Sequence, residues 1–264
     1  MQPRSALVDI GANLTHPAFE PDLPAVLERA AQAGVGRIVV TGTSVAESTH
    51  ALRLAKAHPE SLSATAGVHP HNTRECDDTT IAALRVLAAQ PGVVAIGECG
   101  LDFNRNYSPH PDQEKWFVAQ LALASELKKP VFLHSRDAFP RFHEIVKSMR
   151  VDRGVAHCFT GEKEELHAYL DAGLHVGITG WICDERRGRH LVELVKEIPA
   201  DRLMLETDAP YLTPRDLHPQ PRARRNEPAF LPHILKAVAR AAGRPPERVA
   251  EETARNARAF FGLD

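Results

Sequence analysis

The fold class the sequence predicts is α/β, a TIM-type (β/α)8 barrel, and three observations predict it. Short runs rich in Val, Ile and Leu alternate with longer amphipathic stretches from end to end. The 264-residue length suits one barrel domain over 1–264, with no linker or compositional break inside it. The first strand also lacks the Gly-rich phosphate turn that announces an open doubly wound sheet.

The first predicted strand, Ala6–Ile10, leads to a helix over Asp22–Ala33. There Leu23, Val26, Leu27 and Ala30 share a face, and Gly34 closes the helix. Strand two, Arg37–Gly42, precedes a helix over Val45–His58, and strand three, Leu62–Val68, one over Thr79–Gln90. Val93–Glu98 is followed by Asp112–Lys129, with Trp116, Phe117, Val118, Leu121 and Leu127 as its apolar residues. Val131–His134 precedes Asp137–Met149, Gly154–His157 precedes Glu162–Ala172, and His175–Thr179 precedes Arg187–Lys196. Helices over Pro228–Ala242 and Pro246–Phe261 follow the eighth strand, Leu203–Thr207.

Three of these runs end on Glu98, His134 and His157, and a fourth leads into Asp208. Such a group is costly to bury unless it reaches water, a partner or a metal. In a parallel barrel the C-terminal strand ends and the loops after them form the active-site mouth, and Asp9, His69 and Thr179 fall at the same end. Glu98 offers a hard oxygen, and His134 and His157 offer imidazole nitrogens. That set suits Zn²⁺, Mn²⁺, Fe²⁺ or, less naturally, Mg²⁺. Asp208 is a candidate fourth ligand, a general base for water at the ion, or both in turn. Glu206, two residues earlier on the same face, is expected deeper in the barrel, supporting the ligands from behind. His69 and His71 follow strand three and are candidates to touch substrate or metal. His143, His167, His190, His218 and His233 read as surface residues.

With 32 Lys and Arg against 34 Asp and Glu, a broadly basic nucleic-acid coat is excluded, so any such contact is local. Two loops carry local positive charge: Asp184-Glu-Arg-Arg-Gly-Arg189 and Arg222-Ala-Arg-Arg-Asn-Glu-Pro228. Arginine forks there would hold phosphate oxygens or, equally, loop carboxylates. Trp181, Tyr211, Phe103 and Tyr107 are placed either to stack on bases or to pack. Cys76, Cys99, Cys158 and Cys183 form no CxxC pair and read as buried thiols of a reducing cytosol. With no signal-peptide run and no apolar span, a cytoplasmic protein is expected.

Several motifs resemble those of the TatD family of metal-dependent deoxyribonucleases. They are Gly97-Glu-Cys-Gly-Leu-Asp102, Val131-Phe-Leu-His-Ser-Arg-Asp137, His157-Cys-Phe-Thr-Gly161, Glu206-Thr-Asp-Ala-Pro-Tyr-Leu212 and Arg225-Asn-Glu-Pro228. The resemblance spans about Leu7 to Gly262 and implies an amidohydrolase-like, metal-dependent hydrolase. It also implies a cytoplasmic 3′–5′ exonuclease on single-stranded DNA and RNA, usually with Mg²⁺, Mn²⁺ or Zn²⁺ being the alternatives. Carried over by motif, Glu98, His134 and His157 are metal ligands. Asp208 matches the Asp that binds metal and orients or deprotonates the attacking water. His69, Arg186, Arg187, Arg225 and Asn226 match substrate positions at the mouth, with His71 beside them. No obligate protein partner is implied, and a monomer is expected.

One departure bears on the ion count. Most of the wider family opens with Asp-x-His-x-His after strand one, whereas Gly11 and Asn13 hold those imidazole positions here. Glycine has no side chain and an amide is a poor ligand. One firmly bound ion is therefore expected, with any second recruited weakly by Glu98, Asp208, Asp9 and substrate phosphate. Asp9 and Asn13 are expected to act from behind the ligands. Two competing readings are a hydrolase of a small amide, ester or phosphoester, and a weakly catalytic partner protein.

Overall fold

The computed structural model describes residues 6–221 and 224–263, so Arg222 of the second basic loop lies outside the described residues. Its strands are β1 (Leu7–Ala12), β2 (Val35–Val40), β3 (Leu62–Ala66), β4 (Val93–Asp102), β5 (Val131–Arg136), β6 (Gly154–Ala156), β7 (His175–Ile178) and β8 (Leu203–Leu205). Its α-helices are α1 (Leu23–Gln32), α2 (Val45–Ala57), α3 (Thr80–Ala88), α4 (His110–Leu127), α5 (Arg141–Ser148), α6 (Lys163–Asp171), α7 (Arg189–Leu194), α8 (Leu231–Ala242) and α9 (Pro246–Phe261). Strand order in the sheet follows chain order from β1 to β8, as a (β/α)8 fold requires. Among the described residues no helix is long and apolar enough to cross a membrane.

The chain divides into two compact units. One holds Thr41–His157 and Gly161–His175, and β3, β4, β5 and β6 pair in parallel within it. Leu62, Ile96, Leu101, Phe132 and Leu133 are fully buried on these strands. Phe117 of α4 stacks on Phe142 of α5 at 5.4 Å. β4 approaches its neighbours too closely for side chains at two points. A Cβ on Gly67 would lie 2.4 Å from the Gly97 backbone, and one on Gly100 would lie 1.8 Å from the His134 carbonyl oxygen.

The other unit holds the described residues up to Val40, Cys158–Thr160 and the described ones from Val176 onward. Within it β1 pairs with β2 and β7 with β8, all parallel. β1 is buried at every position. Helix α9 packs on β1 and β8, and its Asn256 amide donates to the carbonyls of Ala200 at 2.8 Å and Leu203 at 2.9 Å.

Several boundaries differ from expectation, each for a local reason. β4 runs on to Asp102 because its register shifts between Ile96 and Cys99, after which Gly100 pairs with His134 and Asp102 with Arg136. β1 reaches Ala12, so Asp9 sits within the strand rather than at its end. β8 stops at Leu205, since Asp208 takes a left-handed φ of 54° that no strand continues. α5 begins at Arg141, because Pro140 disfavours helical backbone at the residue before it. α7 begins at Arg189, because the Asp184 carboxylate accepts from the Arg186 and Arg187 amides and holds that stretch as a turn. His143, His190 and His233 are half-buried rather than surface residues. His190 Nε2 reaches the Thr160 carbonyl at 3.1 Å, and His233 Nε2 meets Asp216 at 2.7 Å.

Candidate metal centre

In the unit of β3–β6, three imidazoles converge on one carboxylate oxygen. Glu98 Oε1 lies 2.7 Å from His157 Nε2, 2.8 Å from His134 Nδ1 and 3.3 Å from His69 Nε2. The His134 and His157 nitrogens are 3.4 Å apart. The register shift in β4 and the strand pairing of β5 bring these side chains together, while His157 follows directly on β6. Glu98, His69 and His157 are all buried. Burial opposes the Glu98 charge, but His157, His69 and the bond from His134 outweigh it and hold the carboxyl well below its usual range.

The three imidazoles have different surroundings. His69 Nδ1 accepts from the His71 backbone N–H at 3.1 Å, so neutral His69 carries its proton on Nε2 and donates it to Glu98. Burial pushes His69 down to about 4 against the pull of Glu98, which keeps it neutral at physiological pH. His134 shows the opposite balance. Burial disfavours its charge, but bonds to Asp102 and Glu98 raise it overall.

Asp102 is the group that reading the sequence passed over. Its Oδ2 meets His71 Nε2 at 2.8 Å and His134 Nε2 at 3.3 Å, while Oδ1 accepts from the amides of Asn104 and Arg105. Burial would raise this carboxyl, yet the two histidines and the Arg105 amide hold it far below the usual carboxylate range. A signal is present: Glu98, Gly100 and Asp102 alternate along one strand face, which the expected strand end at Glu98 hides.

Two glutamines of α4, seven residues apart, fix the backbone beneath this cluster. Gln120 accepts from Val68 N at 2.7 Å and donates to Val68 O at 3.1 Å. Gln113 accepts from Asp102 N at 2.8 Å and donates to Asp102 O at 3.1 Å and Ser108 O at 2.9 Å. Each amide supplies what a neighbouring strand would supply.

The second unit holds the remaining expected residues. Asn13 Nδ2 donates to Asp208 Oδ1 at 3.0 Å, so this amide holds the Asp208 carboxylate. Asp9, fully buried, accepts from Gly11 N, Thr207 N and Thr207 Oγ1, and burial raises it to about 7. Glu206 accepts from the Cys158 amide at 2.5 Å. Asn226 is fully buried, and its amide donates to the carbonyls of Thr207 at 2.8 Å and Tyr211 at 2.6 Å. Arg225 is engaged by Asp22, Glu227 and the Ala18 carbonyl, whereas Arg186 and Arg187 lean on Asp184 and stay largely exposed.

A family model described as TatD related DNase matches residues 8–262. The chain belongs to the TatD family. A Rahnella relative named 3′-5′ ssDNA/RNA exonuclease TatD is 54% identical over 259 residues, covering 97% of this chain and 98% of the relative. An Erwinia amylovora relative of the same name is 55% identical over 97% of this chain and 100% of its own. Among solved structures, the TatD homologue YJJV of Escherichia coli superposes with a TM-score of 0.91 at 27% identity, covering 99% of this chain and 100% of that one. An Escherichia coli phosphotriesterase homology protein shares the fold, with a TM-score of 0.72 at 14% identity, covering 98% of this chain and 99% of that one.

The donor set in this TatD-family chain fits a divalent cation. Glu98 Oε1, His134 Nδ1 and His157 Nε2 lie within 3.4 Å of one another, and His69, in the same cluster of ligand-type side chains, stands beside them with its proton on Nε2. Nitrogens about 2.0–2.1 Å from a tetrahedral ion stand roughly 3.4 Å apart, which is the separation of the His134 and His157 nitrogens. Asp102 stands behind His134 as the carboxylate that fixes a ligating ring.

Proposed function

We propose that the protein is a 3′–5′ exonuclease on single-stranded DNA and RNA. It would work as a cytoplasmic monomer with one firmly bound divalent ion at this centre, Mg²⁺ before Mn²⁺ or Zn²⁺. The observation that carries this reading is the convergence of His134, His157 and His69 on Glu98 Oε1 in a chain sharing 54% identity with a named TatD exonuclease. Glu98, His134 and His157 would hold the ion. When bound, it supplies Lewis-acid polarisation of a phosphoryl oxygen and lowers the pKa of water.

The chain's own groups supply the rest. His69, neutral with its proton on Nε2, stays a hydrogen-bond donor, available to a scissile phosphate as well as to Glu98. Asp208, its carboxylate steadied by Asn13, takes the proton from the attacking water. Asp102 keeps the His134 and His71 rings turned as they are, and Arg186 and Arg187 hold the strand phosphates. Asn226 and Glu206 support from behind, by fixing the Thr207 carbonyl and the Cys158 amide. The four free cysteines fit a reducing compartment.

The test is shortening of end-labelled single-stranded DNA with Mg²⁺ or Mn²⁺, repeated with chelator and with Glu98→Ala. Metal-dependent loss from the 3′ end that vanishes in both controls is the expected result. Full activity in Glu98→Ala would sink the assignment.

A further inference from the structure

A second group of metal-ligating side chains lies in the unit of β7 and β8 and uses none of the residues assigned above. Cys183 ends the 3-10 turn Gly180–Cys183, Asp216 stands in the loop after β8, and His233 lies in the first turn of α8. The cysteine sulfur, a carboxylate oxygen of Asp216 and a ring nitrogen of His233 lie within 4.8 Å of one another. The closest pair, His233 Nε2 and Asp216 Oδ1, is 2.7 Å apart.

The spacing suits a small tetrahedral ion. With Zn–S about 2.3 Å and Zn–N about 2.0–2.1 Å, ligand atoms stand roughly 3.5 Å apart. The ligand atoms here all lie within 4.8 Å of one another, so rotamer-scale movement closes the set. Charge also balances, because a thiolate and a carboxylate neutralise a divalent ion while the imidazole stays neutral. Burial, with the Asp216 charge beside it, pushes the Cys183 thiol up, so it is protonated and a poor nucleophile without a metal. Room for a further ligand exists, because Cys183 and Asp216 both line a cavity of about 610 Å³.

We propose that Cys183, Asp216 and His233 form a second metal site, for a thiophilic borderline ion such as Zn²⁺, with one coordination position open toward that cavity. A thiolate among the ligands selects against Mg²⁺, so the site answers to a different ion from an oxygen-seeking one. An ion held there would tie the 3-10 turn, the loop after β8 and α8 together. That would fix the base of the segment that carries Arg186 and Arg187.

Cobalt(II) loading of chelator-stripped protein tests the site, since a thiolate ligand gives a near-ultraviolet charge-transfer band that Glu and His ligands do not. The parent and Glu98→Ala proteins should both show the band, and Cys183→Ser should lack it while binding one fewer zinc per chain. His233→Gln and Asp216→Asn, which leave the thiol in place, should weaken the affinity read from the zinc-competable band at least tenfold. Absence of the band in the parent overturns the proposal, as does an undiminished band in Cys183→Ser or unchanged affinity in His233→Gln.

Discussion

Replacing Gln120 by Leu tests whether α4 holds the cluster's backbone in place. Leucine keeps the helix propensity and nearly the volume of glutamine but can neither donate nor accept. Gln120 is 1% exposed, so no water takes over when its amide is removed. The Val68 N–H and C=O, bonded now at 2.7 and 3.1 Å, would both be left buried and unpaired. Each such group costs about 1–3 kcal/mol, giving a loss of about 2–6 kcal/mol for the pair. For a chain of this size that lowers Tm by roughly 4–24 °C. Val68 directly precedes His69, so its displacement should also carry the His69 ring off Glu98 and reduce nuclease activity. Gln120→Glu makes a sharper control. It keeps the acceptor for Val68 N–H but turns a carboxylate toward Val68 O, so it should destabilise at neutral pH and recover partly when acid restores a donor. Thermal and denaturant unfolding measure both variants. A Gln120→Leu protein within about 0.5 kcal/mol of the parent, inside the usual scatter of surface substitutions, would refute the reasoning.

Asp102→Asn turns an amide toward two imidazole nitrogens that now share a carboxylate oxygen, so metal affinity should fall about 10–100-fold. Calorimetric titration checks this, and unchanged affinity would remove Asp102 from the centre. Asp9 should make stability depend on pH. Its folded value, raised to about 7 from 3.8, favours the protonated form in the native state. Its stabilising contribution is therefore whole below about pH 4 and lost as pH climbs to 7, by at most about 4 kcal/mol. Relative to the parent, Asp9→Asn should gain stability across that window, and parallel pH profiles would contradict it. Gly100→Ala forces a Cβ to within 1.8 Å of the His134 carbonyl oxygen at a φ of +152°. It should cost more than ~3 kcal/mol and weaken metal binding, and a normal melting curve would count against that close approach.

The fold was legible because eight apolar runs spaced by amphipathic helices leave few other topologies. Glu98, His134 and His157 were legible because an ionisable residue ending such a run is conspicuous. Asp102 was not, since the expected strand ends at Glu98, whereas β4 runs on against β5 to Asp102. Gln113 and Gln120 looked like ordinary polar residues of a helix, because nothing local says that a backbone amide waits on the far side. Their seven-residue spacing is the only trace. Asn13 illustrates the converse: a position first noticed for a missing imidazole turns out to hold Asp208.

Asp184 gives the loop after β7 a property that its arginine count hides. The nearly buried carboxylate already serves as an internal counterion for Arg186 and Arg187, with Arg187 also lying over the Trp181 ring at 4.5 Å. A nucleic-acid phosphate arriving at these guanidinium groups would exchange one anion for another instead of expelling cations and anions wholesale into solution. Strand binding should then lose less affinity as ionic strength rises than two bare arginines would impose. The enzyme would hold its grip in salt at the expense of long-range attraction, behaving less like a polyelectrolyte partner than like a latch with its own built-in occupant.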